Sequence, residues 1–205
     1  MKRLGWALAT WAALLTPALA QDTGPMATEM VRRAIHLCDA CHGPEGRSKE
    51  AINPSLAGQM PQYLQQQLKD FRSQARSEAD LSAYMWGVSA LLDDATIQGL
   101  AEYYASRKPP AGQRGDPRLV AAGKKIFAEG MPARGIKACA SCHGDSAEGE
   151  AGFPRLAGQN AAYLARQLKL FKTTPLRRHG VLMKAESRPM NDAEIRAVAA
   201  YLQSL

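Results

Sequence analysis

Cys38-Asp39-Ala40-Cys41-His42 recurs later in the chain as Cys139-Ala140-Ser141-Cys142-His143, and these two pentapeptides hold all four cysteines. In each Cys-x-x-Cys-His copy the paired thiols can add to the two vinyl groups of one haem, and the adjoining histidine is then placed as the proximal iron ligand. The pattern predicts two covalent haems, attached through Cys38, Cys41, Cys139 and Cys142, with His42 and His143 on the irons. Other uses of four cysteines fit less well. The halves of a zinc knuckle usually lie within about 15–20 residues of each other, and these lie much farther apart. A thioredoxin-like pair needs a βαβ setting and no trailing histidine. Disulfides would close tiny strained loops, or else leave both histidines unexplained.

Working outward, the surroundings repeat as well. Leu56-Ala57-Gly58-Gln59 returns as Leu156-Ala157-Gly158-Gln159, followed by Tyr63, Leu64, Leu68, Phe71 against Tyr163, Leu164, Leu168, Phe171. The spacing of Leu64, Leu68 and Phe71 puts these side chains on one helical face. Farther on, Asp93-Asp94-Ala95-Thr96-Ile97 and Asn191-Asp192-Ala193-Glu194-Ile195 read as helix N-caps, the second with capping-box spacing. Ile97, Leu100, Ala101, Tyr104 and Ile195, Val198, Ala199, Leu202 then give matching stripes of a last helix. The second copy is shorter by two residues within 172–182. Strand-like alternation is nearly absent, so an all-α protein of two tandem haem-centred lobes is expected. A segment rich in proline, glycine and charge, 106–117, reads as a linker between an N-terminal domain, 21–105, and a C-terminal domain, 118–205.

Residues 1–20 begin with Lys2 and Arg3, run through an apolar stretch and end in Ala18-Leu19-Ala20. That is the form of a signal peptide cleaved after Ala20, and it predicts export to the periplasm. The stretch falls short of the ~20 apolar residues needed to span a bilayer.

The second axial position separates a carrier from an enzyme. Among the methionines, Met85 and Met183 hold equivalent places in the repeat, each seven residues ahead of the residue before the last helix cap (Leu92 and Met190). They are the candidate iron ligands, expected in loops. Met190 stands where the first copy has Leu92 and reads as core. His36 lies on the proximal side. His179 competes with Met183, its other reading being a surface residue beside Arg177 and Arg178.

Together these features resemble the di-haem cytochrome c4 family, two class I cytochrome c domains in tandem. The likeness runs from about residue 27 to 205 and is most specific where Gly123-Lys124-Lys125-Ile126-Phe127 leads into the second haem motif and Phe153-Pro154-Arg155-Leu156-Ala157-Gly158-Gln159 follows it. The resemblance implies that Pro54 and Pro154 offer their carbonyls to the N–H groups of His42 and His143. Where the family usually has glycine on the first helix, the first lobe has Val31, which puts close contact between its first and last helices in question.

A His/Met haem has no open site for substrate, changes oxidation state with little rearrangement, and has a potential raised by methionine. The expected function is therefore a periplasmic one-electron carrier of a respiratory chain, delivering electrons to a terminal oxidase. A dedicated electron-accepting subunit of a dehydrogenase differs only in partner. A di-haem enzyme, such as a peroxidase or thiosulfate dehydrogenase, would need a vacant or cysteine-ligated iron, and attachment consumes every cysteine. The net charge of +7 is concentrated in the second lobe. Such a basic face more often meets an acidic redox partner or an anionic membrane surface than nucleic acid. On this reading the second lobe is the docking end, through Arg177 and Arg178, and holds the higher-potential haem.

Overall fold

The computed structural model describes residues 25–78 and 83–205. The signal segment and its cleavage point lie outside the described residues. The first lobe contains α1 (Pro25–His42), α2 (Pro61–Arg72), α3 (Tyr84–Ala90) and α4 (Asp94–Ala105). The second contains α5 (Pro117–Glu129), α6 (Ala140–His143), α7 (Ala161–Thr173), α8 (Val181–Ser187) and α9 (Asp192–Gln203). Among the described residues there is no strand beyond isolated bridges.

The lobes differ in how they reach the haem motif. Residues 26–42 contain neither glycine nor proline, so α1 runs unbroken into His42. In the second lobe Gly130, at φ 67°, ends α5, because positive φ is cheap only for glycine. A 3-10 turn at Pro132–Arg134 then intervenes, and Cys142 and His143 sit on the separate short helix α6.

The last helix of each lobe is the centre of its core. Ile97, Leu100, Ala101 and Tyr104 of α4 are nearly inaccessible, as are Ile195, Val198, Ala199 and Leu202 of α9. Their starts are set by side-chain caps. Asp93 accepts from the Thr96 N–H at 2.7 Å; Asn191 and Glu194 form a reciprocal capping box. Met190 is buried in the second core. Contact between first and last helices persists in the first lobe despite Val31, because the small residue has moved to the partner helix, at Gly99.

Of the expected linker 106–117, residues 106–116 are irregular and Pro117 opens α5, yet the segment does not run free. The Gln113 N–H donates to the Gln203 carbonyl at 2.8 Å. Pro109 packs directly on Gly58, and the Pro110 carbonyl lies against Gly158. Both glycines have positive φ, 67° and 73°, and donate their N–H groups to the last helices, to Tyr104 and Leu202 carbonyls at 2.9 and 2.8 Å. The segment therefore straps the same turn in both lobes.

The lobes also join through the connections that follow α2 and α7. Ser77 donates to the Leu176 carbonyl and Arg178 to that of Ala75, at 3.0 and 3.1 Å. Here the docking expectation for Arg177 fails, because this side chain is buried. It stacks on Phe171 at 4.3 Å, as Arg76 stacks on Phe71 at 4.4 Å. Glu78 lies between them, 2.6 Å from Arg177 Nε and 3.8 Å from Arg76 Nε, and Gln167 Oε1 accepts from both guanidiniums. A long arginine beside an exposed one reads as surface from sequence alone; the carboxylate that pairs with Arg177 comes from Glu78 of the other lobe.

Candidate functional site

His42 ends α1 and His143 ends α6, and both rings are buried. His42 Nδ1 lies 2.8 Å from the Pro54 carbonyl oxygen, and His143 Nδ1 lies 2.9 Å from that of Pro154. A carbonyl can only accept, so Nδ1 carries the proton in both rings and the lone pair is on Nε2. Burial lowers the pKa of both histidines, which keeps the rings neutral and able to bind a metal.

The loops that hold these prolines are built alike. The Leu56 and Ala57 N–H groups converge on the Gly46 carbonyl at 2.7 and 3.1 Å, and those of Leu156 and Ala157 converge on the Ala147 carbonyl at 2.8 and 3.0 Å. The Asn53 amide also ties its loop to the Cys41 carbonyl, at 3.0 Å.

None of the four cysteines is in a disulfide. Burial pushes Cys38 and Cys139 up to about 11, so these are neutral at physiological pH. Cys41 is exposed and Cys142 half-buried.

Met85 and Met183 are half-buried, and each lies on a short helix, α3 or α8, rather than in the expected loop. In α8 the run Leu182-Met183-Lys184-Ala185-Glu186 consists of strong helix formers, which favours the helix locally. One turn beyond each methionine, on the same helical face, comes a serine with no exposure, Ser89 or Ser187. Neither hydroxyl finds a partner in the protein.

Of the rival histidines, His36 is exposed on α1. His179 is engaged elsewhere, with Nδ1 2.9 Å from the Asp70 carboxylate of the other lobe.

Two features went unnoticed in the sequence. One is the Arg76–Glu78–Arg177 cluster. The other is a reciprocal bond pattern made by the repeated glutamines: Gln159 bonds the Ser55 backbone, and Gln59 bonds the Arg155 backbone. The recurrence of Gln in both Leu-Ala-Gly-Gln segments was the available signal.

Residues 120–205 match the cytochrome c family model. The chain is 34% identical over 196 residues to cytochrome c4 of Azotobacter vinelandii, covering 91% of this chain and 92% of that one. The chain belongs to the di-haem cytochrome c4 family. The crystal structure of reduced recombinant cytochrome c4 from Pseudomonas stutzeri superposes with a TM-score of 0.78 at 33% identity, covering 87% of this chain and 98% of that one. A thiosulfate dehydrogenase electron acceptor from Thiomonas intermedia (strain K12) is 38% identical over 174 residues, 80% of this chain and 76% of the relative.

As a cytochrome c4 family member the protein has two class I cytochrome c domains, carries two covalently bound haem c groups and is a di-haem electron carrier. The residues present fit that group. Each lobe offers two free thiols on adjoining turns and a neutral imidazole with Nε2 available. Each also has a thioether and an unsatisfied serine hydroxyl on one helix face. Among the described residues no helix is long and apolar enough to cross a membrane.

Proposed function

We propose that this protein is a periplasmic one-electron carrier that delivers electrons to a terminal oxidase. In this reading Cys38 and Cys41 attach one haem in the domain 21–105, and Cys139 and Cys142 the other in 118–205. His42 and Met85, and His143 and Met183, are the axial ligands. The observation that carries the assignment is the pair of bonds from Nδ1 to the Pro54 and Pro154 carbonyls. They fix the tautomer and ring orientation so that Nε2 alone can ligate iron, and they increase its basicity.

The haem supplies the reversible change between ferric and ferrous iron, and the protein's part is to keep that change small and dry. Ligands on both faces leave no position for substrate. With all four cysteines used in attachment, none remains to ligate iron as an enzyme of this kind would need, so we assign no catalytic residue.

A second reading, an electron acceptor dedicated to a dehydrogenase, is favoured by the thiosulfate dehydrogenase electron acceptor among its relatives. The two readings separate in stopped-flow experiments on the purified di-haem protein. Cyanide-sensitive oxidation of the reduced protein by oxidase-containing membranes, many turnovers faster than its reduction by thiosulfate plus thiosulfate dehydrogenase, supports the oxidase route. Fast reduction with no oxidation by the membranes supports the dehydrogenase-bound role and overturns the first.

A further inference from the structure

We infer that Gln59 and Gln159 act across the lobe boundary as positioning residues, each tuning the iron of the opposite lobe through the proline carbonyl that its histidine uses. The inference rests on His42 and His143 being axial ligands.

The geometry makes this connection in few bonds. The Pro54 carbonyl that accepts from His42 and the Ser55 N–H belong to one peptide group. That N–H donates to Gln159 Oε1 at 2.8 Å, while Gln159 Nε2 donates back to the Ser55 carbonyl at 2.9 Å. The other lobe mirrors the arrangement. His143 donates to Pro154, the Arg155 N–H donates to Gln59 Oε1 at 2.7 Å, and Gln59 Nε2 donates to the Arg155 carbonyl at 3.0 Å. Each Oε1 accepts a second N–H, that of the residue following its own glutamine, Asn160 at 3.0 Å and Met60 at 2.9 Å. Both glutamines and Ser55 are buried, so water does not compete and bonds in series polarise one another.

The sign follows from the peptide group. An acceptor on the Ser55 N–H draws that proton outward and leaves the Pro54 oxygen more negative, hence a stronger acceptor for the His42 Nδ1 proton. The imidazole then gains imidazolate character and donates more strongly through Nε2, which favours ferric iron. Gln159 therefore lowers the potential of the His42 haem, and Gln59 that of the His143 haem. Because the effect crosses the boundary, a change in lobe packing is felt at the irons without movement of either axial ligand.

The test uses the full di-haem protein, with potentials assigned to each haem by NMR titration of resolved haem-methyl signals. It also follows the hyperfine-shifted ring N–H signals of ferric, 15N-histidine-labelled protein. Gln159→Met removes the acceptor; the potential of the His42 haem should rise and its Nδ1–H signal should shift and exchange faster, with the His143 haem unmoved. Gln159→Glu, which strengthens the acceptor, should lower the same potential and remains informative if the methionine variant fails to assemble. Gln59 variants should mirror both results. A lowered potential in both Gln159 variants indicates water entering a loosened boundary and overturns the inference, as does a shift confined to the variant's own lobe or no shift at all. Absence of hyperfine-shifted signals from His42 and His143 in the unsubstituted protein overturns the ligand assignment instead.

Discussion

Val31 and Gly99 meet where α1 crosses α4: Val31 Cγ2 lies 2.6 Å from the position a Cβ on Gly99 would occupy. In the second lobe the glycine is on the first helix instead, where Gly123 faces the Ala197 backbone carbonyl. Gly99→Ala should gain up to about 1 kcal/mol of helix propensity but lose about 1–3 kcal/mol to overpacking, a net loss in urea denaturation. Combining it with Val31→Ala should recover stability beyond the sum of the single changes, a coupling of about 1 kcal/mol or more. Gly123→Ala should cost more and resist rescue, because the obstructing atom at Ala197 is backbone and no side-chain substitution removes it.

Met85→Ala and Met183→Ala should each open one iron. Reduced wild-type protein should bind carbon monoxide poorly at both haems, and each variant should bind about one equivalent, read from the Soret band. A wild type that binds two equivalents contradicts the His/Met assignment.

The boundary cluster is unbalanced, and its members should respond unequally. Glu78→Gln leaves two buried guanidiniums without a counter-charge and should cost on the order of 3–5 kcal/mol. Arg177→Met leaves Arg76 and Glu78 as a neutral pair and preserves contact with Phe171, so its cost should be clearly smaller. Urea melts of the three proteins at one ionic strength check the order; equal losses would show that packing rather than charge governs the site.

The cap of α4 should weaken in acid. The Asp93 carboxyl is held below the usual carboxylate range by hydrogen bonding at Thr96. A depressed folded-state value means that its contribution is fully present above the unfolded value of about 3.9 and fades as pH falls through the folded one. Wild type should therefore exceed Asp93→Asn in Tm at pH 5–7, and the two should converge toward pH 2–3. A Tm difference independent of pH would remove the charge argument.

The haem number, the two-lobe helical plan, the last-helix stripes and the caps at Asp93 and Asn191 were all legible in the sequence, because each is a local pattern with a period or spacing. Covalent attachment needs two thiols and a histidine within five residues, and an amphipathic helix announces its buried face every third or fourth residue. The tertiary structure alone decided what distant segments do to one another. It moved Arg177 from an expected docking surface to a buried ion pair with Glu78, paired His179 with Asp70, and laid segment 106–117 against both lobes. It exchanged the small residue of one helix crossing for that of its partner, Gly99, and carried Gln59 and Gln159 to each other's proximal loops. In each case the deciding interaction joins groups far apart in the chain, and its energy comes from a burial and a partner that neither segment encodes by itself.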